Sequence, residues 1–212
     1  MRTLSQILTD ANANLDLEST LPVGDELTLR SNYANQAVLD ASAIIQFGEF
    51  KQEYLGNIST GVTLPLPSNF RELQTNPRLL VGGSWLEWPE IESEEKYEKN
   101  PSDRYCYVLG NPAGGYNLVF NNPEANATIS VMFQRYPSGM ATLSDKCELS
   151  DATFVTRKIE SYVLYARGDD KFQIAETRAQ NVLSNMVSRD SKGTGGQGRD
   201  TKAKSSNWNP LG

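Results

Sequence analysis

The sequence predicts an α+β fold: an antiparallel helix bundle built from two N-terminal and two C-terminal helices, an inserted small antiparallel β-domain and a flexible C-terminal tail. Three observations lead there. Apolar residues recur at helical spacing over residues 1–48. Alternating residues and turn formers fill 49–150, and helical spacing returns over 151–188. Residues 189–212 are rich in Gly, Ser, Lys and Asn, too polar to offset the entropy of ordering by themselves.

In the first helix, Leu4, Ile7, Leu8, Ala11 and Leu15 mark one buried stripe. Thr3 with Gln6 three residues later supplies a capping box. After the breaker LPVG, Asp25 is expected to cap a longer helix. Its buried face runs through Leu27, Ala34, Val38, Ala41 and Ile45, widened by Tyr33, Ala37 and Ile44, and Gly48 is expected to end it.

From residue 50 the period changes. Strands are expected over 54–59 and 62–66, joined at Thr60-Gly61, then over 85–88, 105–109, 116–120 and 128–136. The run YVLGNPAGGYNLVF reads as a hairpin, and ATISVMFQRY sets Ile129, Val131 and Phe133 against Ser130, Met132 and Gln134, as a half-buried strand does. In VTLPLPSNFREL, Pro65 and Pro67 lack the donor a central strand needs. Their alternate spacing fits an edge strand whose missing donors point away from its neighbour. Ser68 is then expected to cap a single turn, NFREL, that drops Phe70 and Leu73 onto the core.

Ser150 or Asp151 begins the third helix, with Val155, Ile159, Tyr162, Val163 and Ala166 along its stripe. Gly168 suits its end, and Asp169-Asp170 suit the positive start of a fourth helix carrying Phe172, Ala175, Ala179, Val182, Leu183 and Met186. RGDD is thus a helix–helix connection and not an adhesion motif.

The order of these segments resembles the head-to-tail adaptor (connector) proteins of tailed bacteriophages and prophages, of the tail tubular protein A type. The resemblance is carried by the N-terminal helix pair, LPLPSNFREL, the Trp-containing WLEWPEIE, the strand FQRYPSGMATLSDKCELSD and the tyrosine-bearing helix VTRKIESYVLYA, and it covers residues 1–188. It implies a structural protein of the virion with no active site and no cofactor. It further implies a ring of twelve copies below the portal protein, with tail or nozzle proteins beneath and DNA passing through unbound. The acidic loop and the glycine-rich tail depart from the pattern.

Composition narrows the chemistry. With His 0, the commonest general base and metal ligand is missing. Cys106 and Cys147 have no CxxC partner and are expected to be buried thiols. No run is long and apolar enough for a membrane helix, so a soluble, intracellular setting is expected. The tail holds Arg189, Lys192, Arg199, Lys202 and Lys204 against Asp190 and Asp200; taking this +3 from the formal −6 leaves −9 on the body. Such a body repels phosphate backbones.

Three sets of candidate residues follow. Trp208, Pro210 and Leu211 at the end of the tail are either idle or an anchor that docks on a partner, and the anchor reading makes them candidate partner-binding residues. Glu92, Glu94 and Glu95, within the acidic run EWPEIESEEKYEKNPSD, are expected to line a DNA channel, where like charge prevents sticking. The alternative function is a carbohydrate- or receptor-binding module using Trp85, Trp88 and Tyr97. A carboxylate hydrolase is the weaker third option, because no apolar pocket for raising a carboxyl pKa is visible. Gly110–Gly115 lacks the Lys-Ser/Thr of a phosphate loop, and Asp145, Glu148 and Asp151 lack the spacing of a calcium loop.

Overall fold

A computed structural model describes residues 1–193 except 16–18, 45–47, 59–61 and 125. It is a mixed α+β structure with antiparallel sheets. The helices are α1 (Leu4–Asn14), α2 (Asp25–Ile44), α3 (Thr153–Ala166) and α4 (Phe172–Gly193). The strands are β1 (Lys51–Asn57), β2 (Thr63–Pro65), β3 (Phe70–Leu73), β4 (Arg78–Val81), β5 (Ser84–Glu87), β6 (Cys106–Asn111), β7 (Gly115–Phe120) and β8 (Thr128–Arg135).

Helix α1 starts as its sequence dictates: the Gln6 amide donates to Thr3 Oγ1 and the Gln6 side chain accepts from the Thr3 amide. Asp25 is the first residue of α2 and not its cap. The Gly24 carbonyl accepts from the amides of Leu27 and Thr28, and the φ of +60° at Gly24 is one that glycine adopts without a Cβ clash. Ile44, expected on the buried stripe, is 63% exposed, and Ile45 lies outside the described residues. Gly48 does not close α2 but opens a 3-10 turn, Gly48–Phe50, that buries Phe50. Asp151 stands just ahead of α3, its Oδ1 accepting from the Thr153 amide, and Asp169 and Asp170 form the connection before α4.

Two hydrophobic clusters form. One gathers Leu4, Ile7, Leu8, Ala37, Val38, Phe50, Met140, Phe154, Ile159, Ala179 and Leu183, drawing on all four helices. The other gathers Ile58, Leu64, Phe70, Leu79, Trp88, Leu118, Phe120, Ile129, Val131 and Phe133 from the strands. Inside the first, Lys158 Nζ reaches both Glu176 oxygens at 2.9 Å, Ser161 Oγ donates to Glu176 at 2.9 Å, and Tyr162 OH donates to Asp40. Burial, then Asp40, pushes the Tyr162 phenol well above its ordinary range, so it stays a donor. Burial alone would raise the Glu176 carboxyl, but hydrogen bonds from Gln180, Lys158 and Ser161 and the Lys158 charge lower it.

Strand β8 organises the larger sheet. All of β1 runs along one edge, Lys51 opposite Gln134 to Asn57 opposite Thr128. The other edge is shared: β4 takes Thr128–Ser130 and β3 takes Phe133–Arg135. The segment FREL is therefore a strand and not the expected helical turn. Phe70 still reaches the core, because pairing with β8 holds it beside Phe133 with ring centroids 5.6 Å apart. The strands expected to be joined at Thr60-Gly61 do not pair either: β1 pairs β8, and β2 pairs β7. A longer partner in each case outcompetes the local hairpin.

The second sheet has the order β2-β7-β6, which places β2 on an edge. The Leu66 amide donates to the Tyr116 carbonyl at 2.9 Å and the Phe120 amide to the Val62 carbonyl at 2.7 Å. Even-numbered residues of β2 thus face β7, and Pro65 and Pro67 turn their donor-less nitrogens to the open side.

Two expectations on stability follow. Pro65→Thr changes unfolding free energy by less than about 1 kcal/mol, whereas Leu66→Pro, losing a paired amide and a buried side chain, costs about 3 kcal/mol or more in urea titrations. Arg135→Ala leaves Glu148, its ion-pair partner at 3.1 Å, unpaired and half-buried, and costs about 2–3 kcal/mol by the same measurement.

Candidate interaction surface at the acidic edge

The acidic segment joins β5 to β6 and is tied down at several points. Trp88 is 1% exposed, its Nε1 donating to the Asn121 carbonyl at 3.0 Å, with the Arg104 guanidinium 5.3 Å from its ring. Trp88 is consequently a core residue and cannot stack on a sugar. Trp85 and Tyr97 are exposed. Past Trp88 the chain runs parallel to β6: the Cys106 amide donates to the Pro89 carbonyl and the Ile91 amide to the Cys106 carbonyl, each at 2.9 Å. A 3-10 turn, Glu95–Tyr97, follows, and Lys96 Nζ lies 4.9 Å from the Tyr97 ring and 5.2 Å from the Tyr107 ring. Asn121 Nδ2 then holds the return with bonds to the Pro101 and Asp103 carbonyls.

An open groove of about 460 Å³ lies where the segment leaves β6, lined by Glu90, Ile91, Glu92, Ser93 and Val108. Glu92 belongs to it; Glu94 and Glu95 stand exposed on the neighbouring turn. Although Glu90 reaches solvent, its carboxyl is raised above the ordinary carboxylate range, by partial desolvation first and then by the charges of Glu72 and Glu92. The sequence shows no apolar pocket here to raise a carboxyl; partial burial and neighbouring carboxylates raise Glu90 instead. The spacing Glu-Ile-Glu, two carboxylates flanking one apolar residue shortly after β5, was the available signal.

Other candidates are accounted for structurally. Asp145 accepts from the amides of Ala141 and Thr142 and from Thr142 Oγ1, Glu148 pairs with Arg135, and Asp151 receives the Thr153 amide, so the three do not converge. Among the described residues no group of three or more His, Cys, Asp or Glu is arranged to hold a metal ion. The Gly110–Gly115 region is a hairpin turn in which Asn111 Oδ1 accepts from the amides of Ala113 and Gly114. A Cβ at Gly110 would stand 2.1 Å from the Gly115 carbonyl oxygen. Cys106 and Cys147 are free and buried, and burial pushes both thiols up, away from the reactive thiolate. A second hollow, about 280 Å³ and lying between Asn14, Leu164 and Ile174, carries Arg167, Lys171 and Arg178 on its rim. Trp208, Pro210 and Leu211 lie outside the described residues.

The raised Glu90 carboxyl fixes a sign. Folding binds the Glu90 proton more tightly than the unfolded chain does, so ionised Glu90 destabilises the fold above its raised pKa, and the penalty fades as pH falls through that value toward the unfolded one. Glu90→Gln is expected to raise the unfolding temperature modestly at pH 7, the effect being limited by solvent screening, and to lose the advantage near pH 4.

No described helix is long and apolar enough to cross a membrane. No family model matches this chain, and no curated protein matches it.

Proposed function

We propose that this chain is a non-enzymatic structural protein of a phage virion: a ring-forming head-to-tail adaptor that joins the portal protein to tail or nozzle proteins and continues the DNA channel. The observation that supports it best is the chain path between the two clusters. The polypeptide contributes to the helical cluster up to Phe50, builds the strand cluster from Ile58 to Phe133, and rejoins the helical cluster at Met140. We read this order as a helical bundle (1–48 and 151–188) with an inserted β-domain (49–150); because α4 runs on to Gly193, the expected tail boundary at 189 moves to 194, and residues 194–212 are the tail that orders on assembly. The bundle faces the portal and the β-domain faces the tail. The protein is made in the host cytoplasm and works at the head–tail junction.

Glu94 and Glu95, exposed on their turn, and Glu92 beside them supply the negative lining that keeps DNA from sticking. A glycan-binding reading retains two exposed aromatics, Trp85 at 47% and Tyr97 at 83%, after losing Trp88 to the core. A glycan array separates the two, since an adaptor binds none of its sugars.

The deciding experiment images the purified full-length protein mixed with portal rings by electron microscopy. A coaxial second ring is expected, and free monomers beside unchanged portals would refute the adaptor role. In virions carrying Glu92→Gln, Glu94→Gln and Glu95→Gln together, genome ejection is expected to slow several-fold; unchanged ejection removes the three glutamates from the channel.

A further inference from the structure

The two edges of the β2-β7-β6 sheet are not equivalent. On β2 the outward positions Pro65 and Pro67 offer an incoming strand no amide, which leaves Thr63 as the outward donor of that strand. On β6 the Cys106 amide and carbonyl point outward and are taken by Pro89 and Ile91. Alternation in an antiparallel strand turns the backbone groups of Val108 the same way, and among the described residues no strand meets them. The covering segment bends away at this point and opens the groove lined by Glu90, Ile91, Glu92, Ser93 and Val108. The site is a short open strand edge in a mostly polar groove, with Ile91 and Val108 in its lining and carboxylates at positions 90 and 92.

The same chain carries a matching segment. Residues 201–205 read TKAKS, with Lys202 and Lys204 at alternate positions, followed by Trp208, Pro210 and Leu211. In an extended chain alternate side chains recur every ~7 Å on one face, so two such lysines match two glutamates spaced in the same way. Residues 189–212 are +3 and the body −9, which favours the encounter. GTGGQG at 193–198 supplies a linker whose composition resists no direction of approach.

We propose that residues 201–211 of one copy add to the β6 edge of a neighbouring copy, with Lys202 and Lys204 against Glu90 and Glu92. This names the partner of the tail and rests on the ring-forming reading. One such contact is weak, as peptide strand addition is, but it repeats at every junction of a closed ring. In this arrangement Glu92 is taken by a lysine, and the channel lining falls to Glu94 and Glu95.

Disulfide trapping tests it, since both native thiols are buried. Full-length chain carrying Ser93→Cys is mixed with full-length chain carrying Ser205→Cys under mild oxidation. A disulfide-linked heterodimer is expected. Its yield should fall about tenfold when the second chain also carries Lys202→Glu and Lys204→Glu, and recover when the first carries Glu90→Lys and Glu92→Lys. Absence of the heterodimer, closure of a doubly substituted chain only upon itself, or indifference to charge reversal overturns the proposal. A ring on the portal without the cross-link sinks the tail contact and leaves the adaptor standing; the cross-link without portal binding does the reverse.

Discussion

Strand β8 is the member on which the rest of the fold leans. Most strands need one good neighbour; this one has partners along one edge from Thr128 to Gln134 and at both ends of the other. Its inward residues Ile129, Val131 and Phe133 are fully buried, so the register of β1, β3 and β4 is set against a fixed row of apolar side chains. A slip by one residue on any partner would turn its own apolar set to water. At the end of β8, Arg135 pairs with Glu148 at 3.1 Å, donates to the Glu49 carbonyl at 3.3 Å and lies 5.5 Å from the Phe50 ring. These contacts join the strand to both points where the chain enters and leaves the helical cluster. One side chain therefore couples the two hydrophobic clusters through a planar, always charged group that a lysine could not imitate.

The helical cluster is specified by polar contacts as well as apolar ones. Small residues Ala34, Ala37 and Ala41 line α2, so its neighbours approach closely but gain little directional information from packing. The direction comes from Tyr162 reaching Asp40 on α2 and from Lys158 reaching Glu176 on α4. Lys158 Nζ also lies 4.7 Å from the Tyr162 ring, which ties the two contacts into one network. Buried groups of this kind contribute less to net stability than to excluding other helix registers, because a wrong register would leave a charge desolvated and unpaired.

The helices were legible because their information is local: apolar period, a capping Thr and a glycine at the α3 end are all read within a few residues of where they act. The hairpin of β6 and β7 was legible for the same reason. What escaped was pairing between distant segments. RLLV at 78–81 and FREL at 70–73 are too short to show a period, and they become strands only because β8 offers them hydrogen bonds. Gln134 illustrates the limit from the other side. Alternation assigned it to the polar face, yet it is fully buried and its amide finds no partner among the described residues. At the candidate surface the charge of the acidic run was legible, but the burial of Trp88 was not. A tryptophan between two glutamates reads as a surface residue until Asn121, thirty-three positions on, supplies the acceptor for its indole.

The treatment of the two sheet edges carries the functional argument furthest. An open strand edge pairs with any extended chain unless something discriminates, and proline discriminates by removing its own donor. Carboxylates discriminate by charge instead. Another acidic body, including a copy of this chain approaching by its own acidic face, is repelled from the β6 edge at distances within a Debye length, about 8 Å at physiological salt. A lysine-bearing strand meets the opposite field. The Glu90 carboxyl is raised by partial desolvation first and then by the charges of Glu72 and Glu92, so a cation arriving there offsets the repulsive part as well as forming a contact. On the proposed reading, an edge guarded in this way repels acidic strands and admits a basic one, as an assembly contact that forms late and in one orientation requires.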